Sequence, residues 1–182
     1  MPWSIFHHYH FFFVCVCVLG TVLDEPDLDG SFENGKWTAT GYANAANIIY
    51  DREEVVRISQ GDIDVFDGEK VAWFGRYNNI YSQELSLKVK IPSSATHLSI
   101  FILASFDPAS RTVFTVLIDD DFVGYIDGER ADSYRTMYRN YDINIKKYAG
   151  KEHTIRFLYY GTDGTDHALL DYVQFINDPS SL

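Results

Sequence analysis

Three segments of the chain carry side chains whose types and spacing could do chemistry. RYNNIYSQE, at 76–84, gathers Arg76, Tyr77, Asn78, Asn79 and Tyr81 between two apolar runs. Aromatic rings can stack on a pyranose face while a guanidinium and amides hydrogen-bond its hydroxyls. The same residues also make an ordinary turn, because Asn tolerates turn conformations. YRTMYRNYDINI, at 134–145, reads at period two with Tyr141, Ile143 and Ile145 inward. Tyr134, Thr136, Tyr138, Asn140, Asp142 and Asn144 then face outward. Two tyrosines among small polar groups form a stacking platform, or else cross-strand packing on a solvent face. In LLDYVQFI, at 169–176, the same period puts Asp171 on one face with Leu169, Val173 and Phe175. A carboxylate there is costly unless it is paired, hydrogen-bonded or bound to a metal.

Catalysis finds little in this chain. There is no HExxH helix and no Gly-x-Ser-x-Gly elbow, and His97, His153 and His167 are far apart in sequence. A glycosidase pair of carboxylates is not something sequence alone can display. GTDGTDH offers Asp163 and Asp166 without the alternating ligands of an EF-hand loop, and reads as turn chemistry. IDDD at 118–121 reads as a tight turn between strands ending at Ile118 and beginning at Phe122. A non-enzyme is expected. The net charge of −11 and pI near 4.8 argue against nucleic acid, whose phosphates would be repelled.

Residues 1–20 read as a secretory signal. FFFVCVCVL is too short to span a bilayer, and Val18 and Gly20 suit cleavage after Gly20. His7, His8 and His10 stand where Lys or Arg is usual, and an uncleaved anchor is the alternative. The expected product is extracellular, with no membrane insertion after cleavage. Cys15 and Cys17 both lie in the signal, so the expected mature chain has no disulfide. A domain of about 160 residues can manage that by burying roughly 68–70% of its unfolded surface.

The elements that must position the candidate residues are strands. LSLKVKI puts Leu85, Leu87, Val89 and Ile91 on one side and Ser86, Lys88 and Lys90 on the other, as a half-buried antiparallel strand does. HLSIFILASF and TVFTVLID are apolar on both faces, and turn signals separate the later strands. No window sustains a 3.6-residue period beyond one turn at Lys146–Ala149. Aromatic residues make up 16% of the chain, which also favours β structure. The expected fold is all-β: one β-sandwich, a jelly roll of about eight to ten antiparallel strands, over 28–178, after a polar leader at 21–27.

The run from Leu28 to Asn177 resembles a galactose-binding-like jelly roll, the fold of many carbohydrate-binding modules and of accessory domains in secreted peptidases and glycosidases. DGSFENGKW (29–37), EKVAWFGRYNN (69–79), ELSLKVKIP (84–92), YAGKEHTIRF (148–157) and LLDYVQF (169–175) carry the likeness. Trp37 and Trp73 fall inside those motifs and are expected in the core. The resemblance implies a structural Ca²⁺ held by Glu33 and Asp171, with backbone carbonyls near Gly30 and Gly68 completing six to eight oxygens. The alternative for Asp171 is an Arg partner or backbone N–H donors. The resemblance further implies a glycan or cell-surface polysaccharide as ligand. The competing expectation is an extracellular protein partner on the same scaffold.

Overall fold

Leu85, Leu87, Val89 and Ile91 are buried and Lys88 and Lys90 exposed, as their alternation requires. The structure is a computed structural model and describes residues 22–23, 25, 27–41, 48–61, 63–76, 82–161 and 165–177. Among them are eleven strands. The first four are β1 (Val22–Leu23), β2 (Thr38–Gly41), β3 (Ile49–Asp51) and β4 (Lys70–Phe74). The longer ones are β5 (Gln83–Lys90), β6 (His97–Ser105), β7 (Val113–Ile118) and β8 (Asp121–Asp127). The last three are β9 (Arg139–Asn144), β10 (Glu152–Tyr160) and β11 (His167–Ile176). One sheet runs β3-β4-β11-β6-β9 with β1 beside β11, and the other runs β2-β5-β10-β7-β8. Every pairing is antiparallel. The two sheets close on one apolar core, which includes Trp37, Phe74, Phe114, Phe157 and Phe175, and the whole is a jelly-roll sandwich.

Four expectations need correction. The strand count exceeds ten because β1 and β3 have only two and three residues, too few to show an alternation. β1 pairs with Ile176 and Phe175, so the sheet reaches into the polar leader. Helix α1 (Arg52–Ile58) was not expected; it buries Val55 in a second cluster with Tyr50, Val71, Trp73, Leu103 and Leu169 on the outer face of the first sheet. Its seven residues are too short for a period of 3.6 to stand out, though Glu53 and Glu54 in the first turn and Arg57 in the last suit the helix dipole. The segment from Tyr134 is not strand until Arg139: a short helix α2 (Gly128–Ala131) and a 3₁₀ turn over Asp132–Tyr134 come first.

A fifth correction concerns Asp171. Leu169 belongs to the outer cluster, whereas Leu170, Val173 and Phe175 belong to the main core. A bulge separates the two sets: Asp171 sits opposite Phe101 and Val173 opposite Ile100, leaving Tyr172 as the extra residue at φ 44°. One inserted residue reverses the facing of everything after it. Asp171 therefore faces away from Val173 and Phe175, towards the outer cluster.

Register also decides which loops meet. Phe74 lies opposite Ala168, Ser105 opposite His167, Tyr160 opposite Val113 and Val113 opposite Asp127. The connections at 75–82, 106–112, 128–138 and 161–166 thus all leave from one end of the sandwich.

Candidate functional site

That end is pinned by Asp166, 2% exposed. Its Oδ1 accepts the Asp107 N–H at 2.7 Å, its Oδ2 accepts the Thr112 hydroxyl, and its carbonyl accepts the Tyr159 hydroxyl at 2.7 Å. Asp166 is therefore a loop pin made by turn chemistry. Across it lies Gly75, whose N–H donates to the buried Gln83 Oε1 at 2.6 Å. Arg135 reaches over from the segment after α2 and donates to the Phe106 carbonyl at 2.7 Å. Between these groups opens a pocket of about 370 Å³ lined by Ser105, Phe106, Asp107, Pro108, Arg135, Thr165 and Asp166. That volume lies in the range of small-molecule sites. One guanidinium and several carboxylate and hydroxyl oxygens suit a ligand rich in hydroxyl groups.

Sequence reasoning missed Asp107, Arg135 and Thr165, because they come from three connections and share no motif. Asp107 opens the stretch 107–110 and Thr165 lies within GTDGTDH, and only strand order shows that those two turns are neighbours. Tyr77, Asn78, Asn79 and Tyr81 lie outside the described residues. Arg76 does not line the pocket. Its guanidinium stacks 4.3 Å above the Tyr50 ring and 5.9 Å from Trp73, and it bonds Glu54 at 3.0 Å, tying the end of β4 to α1. Tyr134 and Tyr138 form no joint platform. Tyr134 packs against the main core, edge-on to Tyr141 at 6.4 Å, and burial raises its pKa. Tyr138 packs instead on the outer cluster against Phe66 at 5.9 Å; burial, with Asp171 and Asp64 nearby, raises its pKa far more.

Glu33 and Asp171 do reach one loop, 66–70, from its two ends. Asp171 is fully buried; its Oδ2 accepts the N–H groups of Phe66 at 2.8 Å and Asp67 at 3.2 Å, and its Oδ1 accepts that of Tyr172 at 2.7 Å. Glu33 Oε1 accepts the N–H groups of Glu69 at 2.7 Å and Lys70 at 2.9 Å. Gly68 sits between them at φ +64°, where a Cβ would lie 2.5 Å from Glu33 Oε1. The Gly30 carbonyl accepts the Val173 N–H at 2.9 Å, and Gly30 is packed so closely on Val173 that a Cβ would collide with its carbonyl oxygen. The donor set is all oxygen, which suits a hard cation. Among the described residues no three His, Cys, Asp or Glu side chains converge as a metal cluster, so an ion here would draw half or more of its ligands from carbonyls. A carboxylate has about four acceptor positions; N–H donors take three on Asp171 and two on Glu33.

No protein-family model matches this chain, and no curated protein does. Solved structures do. The carbohydrate-binding module TmCBM61, determined with β-1,4-galactotriose, superposes with a TM-score of 0.57 at 15% identity, over 82% of this chain and 96% of its own. The K2 adhesin domain of Lys-gingipain gives 0.55 at 15% identity, over 82% and 97%. The K3 adhesin domain of Lys-gingipain from Porphyromonas gingivalis gives 0.53 at 16%, over 86% and 98%. At such identities the likeness is one of fold, that of an antiparallel jelly-roll β-sandwich.

Proposed function

We propose that this chain is a secreted, non-catalytic carbohydrate-binding domain whose ligand enters the pocket at the loop end. The observation that carries the reading is that pocket: Arg135, Asp107 and Thr165, from three connections, are brought around one cavity. The likeness to a module that holds β-1,4-galactotriose supports it. The commitments of its acids support a non-catalytic role. Asp166 is held by an N–H and a hydroxyl, and Asp107 Oδ1 accepts the Ala109 N–H at 2.8 Å, so both carboxylates serve the loops.

The test is a broad glycan array with the purified chain, run with Ca²⁺ and again with chelator, and β-1,4-galacto-oligosaccharides included. Arg135→Ala should weaken the best ligand roughly tenfold or more, since hydrogen bonds to a charged group contribute about 1.5–3 kcal/mol. An unchanged dissociation constant by calorimetry would remove Arg135 from the site. A blank array from a well-folded sample would sink the sugar reading. The likeness to adhesin domains would then favour an extracellular protein partner, sought by pull-down from extracellular fractions.

The structural Ca²⁺ is a separate part of the proposal. Glu33 and Asp171, with the carbonyls of Gly30 and Gly68, would hold it, and it would fasten the two chain ends of a sandwich without disulfides. Chelation should lower the melting temperature by several degrees. An identical melt in chelator, with no ion found in the purified protein by elemental analysis, would leave the N–H bonds as the whole of the clamp.

A further inference from the structure

The outer face of β11, β6 and β9 carries an aromatic cluster that the loop-end pocket does not use. Phe66 keeps 46% of its surface in solvent while its ring stacks on Phe101, with centroids 4.3 Å apart and planes 16° from parallel. Tyr138 and Tyr172 lean on the same ring at 5.9 and 6.3 Å. Polar groups line the edge of this platform. Asn140 lies opposite Phe101, and Asp142 opposite Ser99, so all four share the face. The Ser99 hydroxyl donates to Asn140 Oδ1 at 2.6 Å, and Asn140 Nδ2 donates to Asp142 Oδ1 at 2.9 Å.

Three features set this platform apart from incidental surface packing. The Phe66 backbone is fixed, because its N–H is bonded to the buried Asp171; the exposed ring is preorganised, which lowers the entropy cost of binding. Tyr172 is a bulky residue at φ 44°, in a bulge that turns its ring onto Phe66 and Phe101. Such strain persists where the surroundings enforce it, and bulges re-aim side chains at working surfaces. Finally, the Tyr138 hydroxyl and Gln174 Oε1 are buried without a partner, and Gln174 lies opposite Ser99 on this same face.

We infer that this face is a second carbohydrate-contacting site, distinct from the loop-end pocket, on which the ring of a neutral pyranose stacks against Phe66 while its hydroxyls meet Asn140 and Asp142. Size selects a sugar over a protein. A stable protein interface takes about 800 Å² from each partner. Here a single exposed aromatic ring is edged by polar groups, with the exposed Met137 next to Tyr138 in the chain; the exposed Phe122 and Tyr160 belong to the other sheet, on β8 and β10.

The test is NMR titration of the full chain with methyl β-galactopyranoside, methyl β-glucopyranoside and methyl β-xylopyranoside. The ring signals of Phe66 and Tyr172 and the Asn140 side-chain amide should shift saturably with at least one sugar. Phe66→Ala, at a half-exposed position that the core does not need, should weaken that response at least tenfold, and the exposed Asn140→Ala should weaken it independently. Thr165 reports the pocket in the same spectra. A response confined to Thr165 overturns this site and leaves the pocket reading intact. A response at Phe66 and Asn140 with Thr165 silent establishes it and sinks the pocket. Shifts that depend on protein concentration but not on sugar would overturn it in favour of self-association.

Discussion

Asp171→Ala is expected to cost the fold roughly 2–4 kcal/mol at pH 7, since it strands the N–H groups of Phe66, Asp67 and Tyr172 that the carboxylate now accepts. Chemical denaturation in chelator reads this without a bound ion as a variable. The same carboxyl makes the ion-free fold sensitive to pH. Burial pushes its pKa up to about 6, the three N–H bonds hold it down in part, and Asp67 nearby adds to the rise. A raised carboxyl pKa means that the folded state holds the proton more tightly than the unfolded chain. Its contribution is therefore fully present below pH 3.8, is lost as pH rises through 6, and amounts to about 3 kcal/mol across that window.

Other acids act in the opposite sense. Asp64 is held low by Arg52, Asp119 by the Thr154 N–H and then His153, and Asp121 by Lys147 and Tyr148. Their contributions fade as the solution turns acid, so the raw pH profile mixes both signs. Asp171→Asn separates them. It keeps one carbonyl oxygen for Phe66 and Asp67 but cannot titrate, so the difference between wild type and variant should isolate the window between pH 4 and 6. A difference that is flat with pH would show that Asp171 is not the raised group.

How much of this was legible in the sequence depends on whether the deciding neighbour was local. LSLKVKI showed its buried face because alternation is written within eight residues. The turn at Asp119 and Asp120 could be read from IDDD, although β8 begins at Asp121, one residue early. Trp37 and Trp73 are buried as expected, in the main core and the outer cluster respectively. The meeting of Glu33 and Asp171 on one loop was accessible through resemblance, since they stand far apart in the chain. The facing of Asp171 was not, because the Tyr172 bulge is visible only once β11 is laid against β6. The pocket was hidden for a related reason: Arg135 and Thr165 have no reason to be neighbours until eleven strands are ordered. Tyr134 misled because YRTMYRNY alternates as well as a strand does, whereas α2 and the turn after it are set by packing against β6 and β8.

Gly75→Ala should damage both the fold and the pocket, although Gly75 is not itself part of the pocket wall. Its φ of +76° already disfavours a side chain, and there is no room for one. An added Cβ would strike the Asp166 carbonyl oxygen and come within 2.5 Å of the Tyr159 hydroxyl. Those two atoms are bonded to each other, and Asp166 in turn fixes Asp107 and Thr112. Relief by moving Asp166 therefore shifts the pocket, and relief by moving Gly75 breaks its bond to Gln83. The expected cost is roughly 2–4 kcal/mol of stability, from backbone strain plus overpacking, with at least a tenfold loss of glycan affinity at the loop end. Gly35 supplies the control. Its φ is +66°, but a Cβ there meets nothing within 4 Å, so Gly35→Ala should cost only about 1 kcal/mol of backbone strain and leave binding unchanged. Denaturation midpoints and titration of the best array ligand, measured on both variants, decide the matter. If Gly75→Ala were no worse than Gly35→Ala in either measurement, the loop end would not be the single pinned unit on which the pocket depends.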